Sequence, residues 1–217
     1  MVTTRGSKRK RDNNNNHHPE TNTSKDPPPA GIIHTIGHGT RPLSSLLSLL
    51  HSANTTKLLD VRSIPRSRTN PQFNRDALHT STELAAHGIE YIWLGAELGG
   101  RRNKGKQPGG VDRHSALRVA AFRNYAGYMS TSGFWDGMRV LERLAGEVAN
   151  EGNAGTVAIM CSETLWWKCH RRMISDALVV RGWEVRHLGV QKVPLVHRMW
   201  DIARVGDDGE LVYDDNK

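Results

Sequence analysis

The sequence is poor in the features that mark secreted and membrane proteins. Only two cysteines occur among its 217 residues, which excludes a disulfide scaffold and leaves both side chains as thiols or metal ligands. No run of about eighteen apolar residues occurs, so a membrane-spanning helix and a membrane partner are not supported. The basic start also lacks the apolar stretch of a secretory signal. We therefore expect an intracellular protein, located in the cytoplasm, the nucleus or both.

Both ends of the chain lack the large apolar side chains that a core requires. Residues 1–30 carry a net charge of +3 and contain N-N-N-N and P-P-P, which predicts a disordered basic tail. Within it, Lys8–Arg11 resembles a nuclear-localisation patch, although short basic runs are also common in solvated tails. Residues 207–217 carry a net charge of −4 and are expected to be a flexible acidic tail. Since the whole chain carries +8, residues 31–206 carry +9, and the basic character belongs to the expected folded domain.

Between the two tails, short apolar runs rich in β-branched residues alternate with amphipathic segments. This order predicts β-α-β units, and hence a single three-layer α/β domain with a mainly parallel sheet of about five strands flanked by helices. The predicted strands are Ile32–Ile36, Lys57–Val61, Glu90–Leu94, Thr156–Met160 and Trp183–Leu188. The predicted helices are Leu43–His51, Arg75–His87, Ala116–Met129, Trp135–Ala149 and Cys169–Arg181.

Polar segments follow four of the predicted strands. They read G-H-G-T-R after the first, D-V-R-S-I-P-R-S-R after the second, G-A-E-L-G-G-R-R after the third and C-S-E after the fourth. Because ligands of open parallel sheets bind beyond the carboxyl ends of the strands, we expect these segments to meet at one rim. The catalytic candidates on this rim are His38, Asp60, Glu97, Cys161 and Glu163.

These candidates have different expected roles. His38 stands between two glycines, where the backbone can turn tightly, and is the first choice for a general acid or base. Glu97 and Glu163 are candidate proton acceptors, or partners that orient His38 or an arginine. Cys161 follows an apolar strand directly and is either a nucleophile at the rim or a buried core thiol.

Arginines and a helix start favour an anionic ligand at the same rim. The planar guanidinium matches phosphate oxygens, and the free N–H groups at the start of a helix favour an anion or a thiolate. The alternatives are a salt bridge between Asp60 and Arg62 that only fixes a loop, an ordinary solvated basic surface, and a Cys169 that packs as a small apolar residue. The anion-binding candidates are Arg62, Arg66, Arg68, Arg101, Cys169, His170 and Arg171.

A metal site is not predicted. Cys161, Cys169, His170 and a distant His38 would supply two thiolates and two imidazoles, which is a shell that zinc can use. The two cysteines are eight positions apart, however, and the usual short C-x2-C pair is missing. The sequence leaves the cofactor unknown.

Several ordered motifs resemble one family. They include T-I-G-H-G-T-R, L-L-D-V-R-S-I-P-R, G-I-E-Y-I-W-L-G-A-E-L-G-G-R and M-C-S-E followed by C-H-R-R-M-I-S-D-A-L. Together they closely resemble the DUF488 family of uncharacterised proteins, from about Ile33 to Leu188. The resemblance implies a compact α/β domain with polar motif residues suggestive of an enzyme, and it supplies no substrate.

The leading functional hypothesis is an enzyme that acts on a phosphate-bearing or otherwise anionic substrate at the rim. Hydrolysis and thiol-dependent transfer both remain open as the reaction. The net charge of +9 also suits a non-catalytic nucleic-acid-binding module, so the partner is either an anionic small molecule or a nucleic acid. A third alternative is a structural or interaction protein in which the Cys-His segment only determines the fold. Oligomeric state is not predicted.

Overall fold

The chain folds around a mainly parallel sheet in the computed structural model, which describes residue 1 and residues 30–103, 112–150 and 155–214. Five strands run parallel in the order β3-β2-β4-β1-β5, and the short β6 pairs antiparallel with β5. The strands are β1 Ile32–Gly37, β2 Thr55–Asp60, β3 Glu90–Trp93, β4 Thr156–Cys161, β5 Glu184–Leu188 and β6 Leu195–Val196. Every predicted strand is present with its ends shifted by at most two residues, and the α/β class is confirmed.

Helices connect these strands and cover both faces of the sheet. Two predicted helices, Leu43–His51 and Trp135–Ala149, are confirmed within α1 and α6. Within the described ranges, no helix is both long enough and apolar enough to cross a membrane. The helices are α1 Leu43–Ser52, α2 Arg75–His79, α3 Thr82–Ala86, α4 Gly95–Leu98, α5 Ala120–Met129, α6 Ser132–Asn150 and α7 Arg171–Val180.

Three predicted helices differ from the observed ones. The predicted helix Arg75–His87 is two short helices, because the Ser81 hydroxyl accepts a hydrogen bond from the Leu84 N–H and so starts a new helix. The predicted helices Ala116–Met129 and Cys169–Arg181 are shorter at their starts, since their first residues lie in turns and extended backbone.

The sheet packs an apolar core on each of its faces. Neighbouring residues along a strand point to opposite faces, so Leu59 packs towards α5, α6 and α7, whereas Leu58 packs towards α1, α2 and α3. Ile33 and Ile159 join the first core, and Met160 joins the second; all five side chains are fully buried. Burial on both faces explains why the central strands are continuous apolar runs.

The C-terminal segment is not the loose acidic tail that its composition predicts. Strands β7 Ala203–Val205 and β8 Leu211–Tyr213 form an antiparallel pair, and all three β8 side chains are buried. Arg113 forms ion pairs with Asp208 and Glu210, which offsets part of the negative charge of the acidic turn. The predicted tail of residues 1–30 and its basic patch lie outside the described residues, apart from Met1 and Ala30, as do residues 215–217.

A buried histidine lies in the centre of the sheet. The Nδ1 atom of His34 on β1 is 3.2 Å from the Thr156 hydroxyl on β4, and the ring is almost fully buried. Burial lowers the pKa of His34 to about 4, with a smaller contribution from the charge of Arg186. The native protein therefore holds this ring in its neutral form.

We expect His34 to make the stability depend on pH. Between about pH 6.5 and pH 4, His34 binds a proton in the unfolded chain but not in the folded chain. The free energy of unfolding therefore falls as the pH falls through this window. From pH 7 to pH 5 the wild type should lose about 1–2 kcal/mol more unfolding free energy than His34→Gln. Urea unfolding of both proteins at the two pH values measures this difference, and parallel losses would contradict it.

Candidate active site

A cleft of about 630 Å³ opens where β1, β2 and β4 end. These strands are neighbours in the sheet, so the segments that follow them lie side by side, as expected for a parallel sheet. The predicted site residues that line the cleft are His38, Arg62, Arg66, Arg101, Cys161, Glu163, Cys169 and His170. Lys168, which the sequence analysis did not select, also lines it.

Four predicted site residues do not line this cleft. Asp60 is fully buried beneath Arg62, and Arg171 is buried below the loop that carries Glu163. Glu97 lies on α4 beside Gly137 of α6, whereas Gly100 and Arg101, which follow α4, reach the cleft. Arg68 is exposed but is absent from the lining. All four predicted segments nevertheless contribute to the lining, the third through Gly100 and Arg101, as expected from the sequence.

Asp60 and Arg62 form a buried ion pair. The Arg62 Nε atom donates to Asp60 Oδ1 at 2.8 Å, and Nη2 donates to Oδ2 at 2.5 Å. Arg62 Nη2 also donates to the Phe73 carbonyl, and the Tyr91 hydroxyl donates to Asp60 Oδ2. This network is the salt bridge that fixes a loop, which was the alternative to a substrate clamp.

The same guanidinium fixes His38. Arg62 Nη1 lies 3.0 Å from His38 Nε2, which must accept because the guanidinium only donates. The Nδ1 atom therefore carries the proton and donates to the Gly39 carbonyl at 2.8 Å. Burial lowers the pKa of His38 to about 4, and the ring stacks on Phe73. Both ring nitrogens are engaged, which favours a positioning role for His38 over proton exchange with a substrate.

Cys161, Cys169 and His170 form a compact cluster on the cleft wall. One ligand atom from each side chain lies within 4.8 Å of the other two, and the Cys169 sulfur is 3.5 Å from His170 Nδ1. His170 Nε2 lies 3.0 Å from the Val61 carbonyl, to which it donates. Both cysteines are free thiols and both are buried. We refer to these three residues as the Cys-Cys-His cluster.

The pKa values of the two thiols in the cluster are shifted in opposite directions. A hydrogen bond from Cys161 lowers the pKa of Cys169, and the charge and hydrogen bonds of Arg171 lower it further. The same contact with Cys169, together with burial, raises the pKa of Cys161. The lower pKa therefore belongs to Cys169, at the helix start where an anion or a thiolate was expected, rather than to Cys161, which was expected to be either a nucleophile at the rim or a buried core thiol.

A buried polar chain that the sequence analysis missed runs from Arg171 to Asp176. Arg171 Nη1 donates to the Thr35 hydroxyl at 3.3 Å, and that hydroxyl is 2.7 Å from His187 Nδ1. His187 Nε2 is 3.0 Å from His197 Nδ1, and His197 Nε2 is 2.9 Å from Asp176 Oδ1. Every one of these side chains is at most 4% exposed.

The carboxylate at the end of this chain can only accept, so His197 Nε2 donates to Asp176. The remaining groups can all donate in the same direction, with the Thr35 hydroxyl accepting from Arg171 and donating to His187. Burial lowers the pKa of His187 to about 2, which keeps this ring neutral. Because Arg171 Nη2 also donates to the Glu163 carbonyl, the chain holds the C-S-E loop of the cleft in place. A signal was available in the sequence, since His187 shares one face of β5 with the buried Val185, where strand alternation predicts an apolar residue.

The fold and the cleft define an α/β protein with an open cleft at the carboxyl ends of its central strands. The chain belongs to the family described as "Domain of unknown function DUF488", whose model matches residues 42–178. This match contains the whole Cys-Cys-His cluster, whereas His38 and His187 lie outside it. Comparisons with curated proteins and with solved structures found no match. The resemblance seen in the motifs is confirmed, and the family description names no activity.

We expect Asp176→Asn to destabilise the protein strongly. The carboxylate accepts hydrogen bonds from His197, the Trp200 N–H and the Tyr213 hydroxyl, and an amide cannot accept all three. Loss of this buried acceptor should lower the unfolding free energy by about 2–5 kcal/mol in urea.

Asp136→Asn is the matched control for this substitution. Asp136 is 57% exposed and pairs with Arg139, so its loss should change the unfolding free energy by less than about 0.5 kcal/mol. Equal effects of the two substitutions would show that the buried chain contributes little to stability.

Proposed function

We propose that this protein is an enzyme that acts on a small anionic substrate, with a phosphate-bearing molecule as the favoured class. One observation carries the proposal: a single cleft combines the Cys-Cys-His cluster on its wall with several cationic side chains on its lining. Clefts of roughly 300–1,000 Å³ are typical of small-molecule sites, and this cleft of about 630 Å³ falls within that range.

Three exposed cationic side chains supply the charge for an anion. Arg66, Arg101 and Lys168 are exposed and line the cleft, whereas Arg62 and Arg171 are already engaged in buried hydrogen bonds. A guanidinium can bind two phosphate oxygens at once, and a lysine acts as a point charge. The exposed groups are thus the proposed substrate contacts, and the buried arginines hold the loops that carry the site.

The Cys-Cys-His cluster is the proposed reactive centre. Its thiols and its imidazole border the same cleft as the cationic groups, so a bound anion would lie beside them. Hydrolysis and thiol-dependent group transfer both need a nucleophile at such a place. Glu163 is exposed on the lining and is the remaining candidate for a proton acceptor.

Anion binding gives the first test of this function. Arg66→Gln and Arg101→Gln should each weaken the binding of inorganic phosphate or adenosine monophosphate about tenfold, since a charged hydrogen bond contributes about 1.5–3 kcal/mol. Arg68→Gln is the matched control, because Arg68 is exposed close by but does not line the cleft. Calorimetric titration at low salt measures all four proteins. An equal loss in Arg68→Gln would point to a general basic surface instead.

A panel of chromogenic phosphate monoesters and diesters tests catalysis. Cys169→Ser should abolish turnover while phosphate binding is retained, because the cluster and the cationic side chains are separate groups. The nucleic-acid alternative makes a different prediction, namely binding of DNA or RNA that weakens steeply with salt and does not depend on Cys169. Nucleic-acid binding that is unchanged by the cleft substitutions would favour that alternative.

A further inference from the structure

We infer that the Cys-Cys-His cluster binds one zinc ion and leaves a fourth coordination position open towards the cleft. Use of this ion in catalysis rests on the function proposed above, whereas zinc binding itself does not. The inference reverses the expectation from sequence, which predicted no metal because the cysteines are eight positions apart.

The distances within the cluster suit tetrahedral zinc. With Zn–S bonds of about 2.3 Å and Zn–N bonds of about 2.0–2.1 Å, a sulfur and a nitrogen of one tetrahedral shell are about 3.6 Å apart. The Cys169 sulfur and His170 Nδ1 are 3.5 Å apart, and the Cys161 sulfur lies within 4.8 Å of the Cys169 sulfur and of a ring nitrogen of His170. The three ligand atoms therefore need only small rotations to share one ion.

His170 is held in the tautomer that a metal requires. Its Nε2–H donates to the Val61 carbonyl, which leaves the lone pair of Nδ1 directed at the cluster. A hydrogen bond from the far nitrogen of a ligating histidine to a carbonyl is a common feature of zinc sites. Gly100 makes room for the ring, because a side chain at this position would meet the imidazole. The ring is thus oriented before any ion arrives.

The fold replaces the missing C-x2-C pair. Cys169 and His170 are adjacent just before α7, with Cys169 in extended and His170 in helical backbone, and Cys161 comes from the end of β4. His38, the fourth ligand considered from sequence, is engaged by Arg62 and Gly39. Three protein ligands with a fourth position open are characteristic of catalytic zinc, whereas structural zinc has four protein ligands.

The type of ligand selects the metal. Two thiolates and one imidazole favour zinc over magnesium or calcium, which prefer oxygen ligands. Two thiolate charges neutralise Zn²⁺, so the nearby arginines need not be displaced. In hydrolysis, a zinc-bound water would give its proton to solvent, its oxygen would form the new bond, and the leaving group would depart with the electrons of the broken bond.

Zinc and cobalt titrations of the chelator-treated full-length protein test the inference. We expect one equivalent of Zn²⁺ per chain, and with Co²⁺ the thiolate charge-transfer and four-coordinate visible bands. Cys161→Ser, Cys169→Ser and His170→Gln should each weaken zinc binding about a hundredfold or more, since loss of outer-shell partners alone costs about 10–100-fold. His34→Gln is the matched control, because His34 is a buried histidine on the same sheet but does not line the cleft, and it should bind zinc like the wild type.

Alkylation of the unsubstituted protein gives a second measurement that needs no variant to fold. Zinc should protect Cys161 and Cys169 from iodoacetamide, as read by mass spectrometry. Absence of a stoichiometric zinc ion, or alkylation that zinc does not slow, overturns the inference. Phosphate binding distinguishes this failure from failure of the proposed function. If the protein binds phosphate but no zinc, only the zinc inference is wrong. If it binds zinc but no phosphate, only the proposed anionic substrate is wrong.

Discussion

Parallel pairing of β1 and β2 with β4 is the constraint on which the site depends. The register places Gly37 opposite Cys161 and Asp60 opposite Met160, so the three strands end at one edge of the sheet. The segments that follow must then cross that edge side by side. A two-residue slip of any strand would separate His38, Arg62 and Cys161 and remove the cleft. The side chains of the site therefore lie close together only because the backbone register of these three strands places them there.

Buried charge stabilises this edge from below. Arg62 joins Asp60 to His38, and Arg171 begins a polar chain that ends at Asp176. Burying a guanidinium is costly unless its donors find acceptors. Arg62 donates to Asp60, His38 and the Phe73 carbonyl, and the two Nη atoms of Arg171 donate to Thr35 and the Glu163 carbonyl. These two arginines shape the cleft, and the exposed cationic groups on its lining are left free to meet a ligand.

Sequence patterns predicted the strands well because the central strands are buried on both faces and read as continuous apolar runs. Local patterns could not predict the chain from Thr35 to His187, His197 and Asp176, since its members come from four separate segments. The acidic composition after position 207 led to the prediction of a flexible tail, although the three side chains of β8 are all buried. Glu97 does not line the cleft because the residues directly after β3 form the short helix α4, on which Glu97 lies beside Gly137 of α6.

The central claim is that one zinc ion is shared by Cys161, Cys169 and His170 at the wall of the cleft. X-ray absorption at the zinc edge of the metal-loaded, full-length protein tests it most directly. The account predicts two sulfur neighbours at about 2.3 Å and nitrogen or oxygen neighbours at about 2.0–2.1 Å. A shell of oxygen and nitrogen alone, or one of four sulfurs, would contradict it.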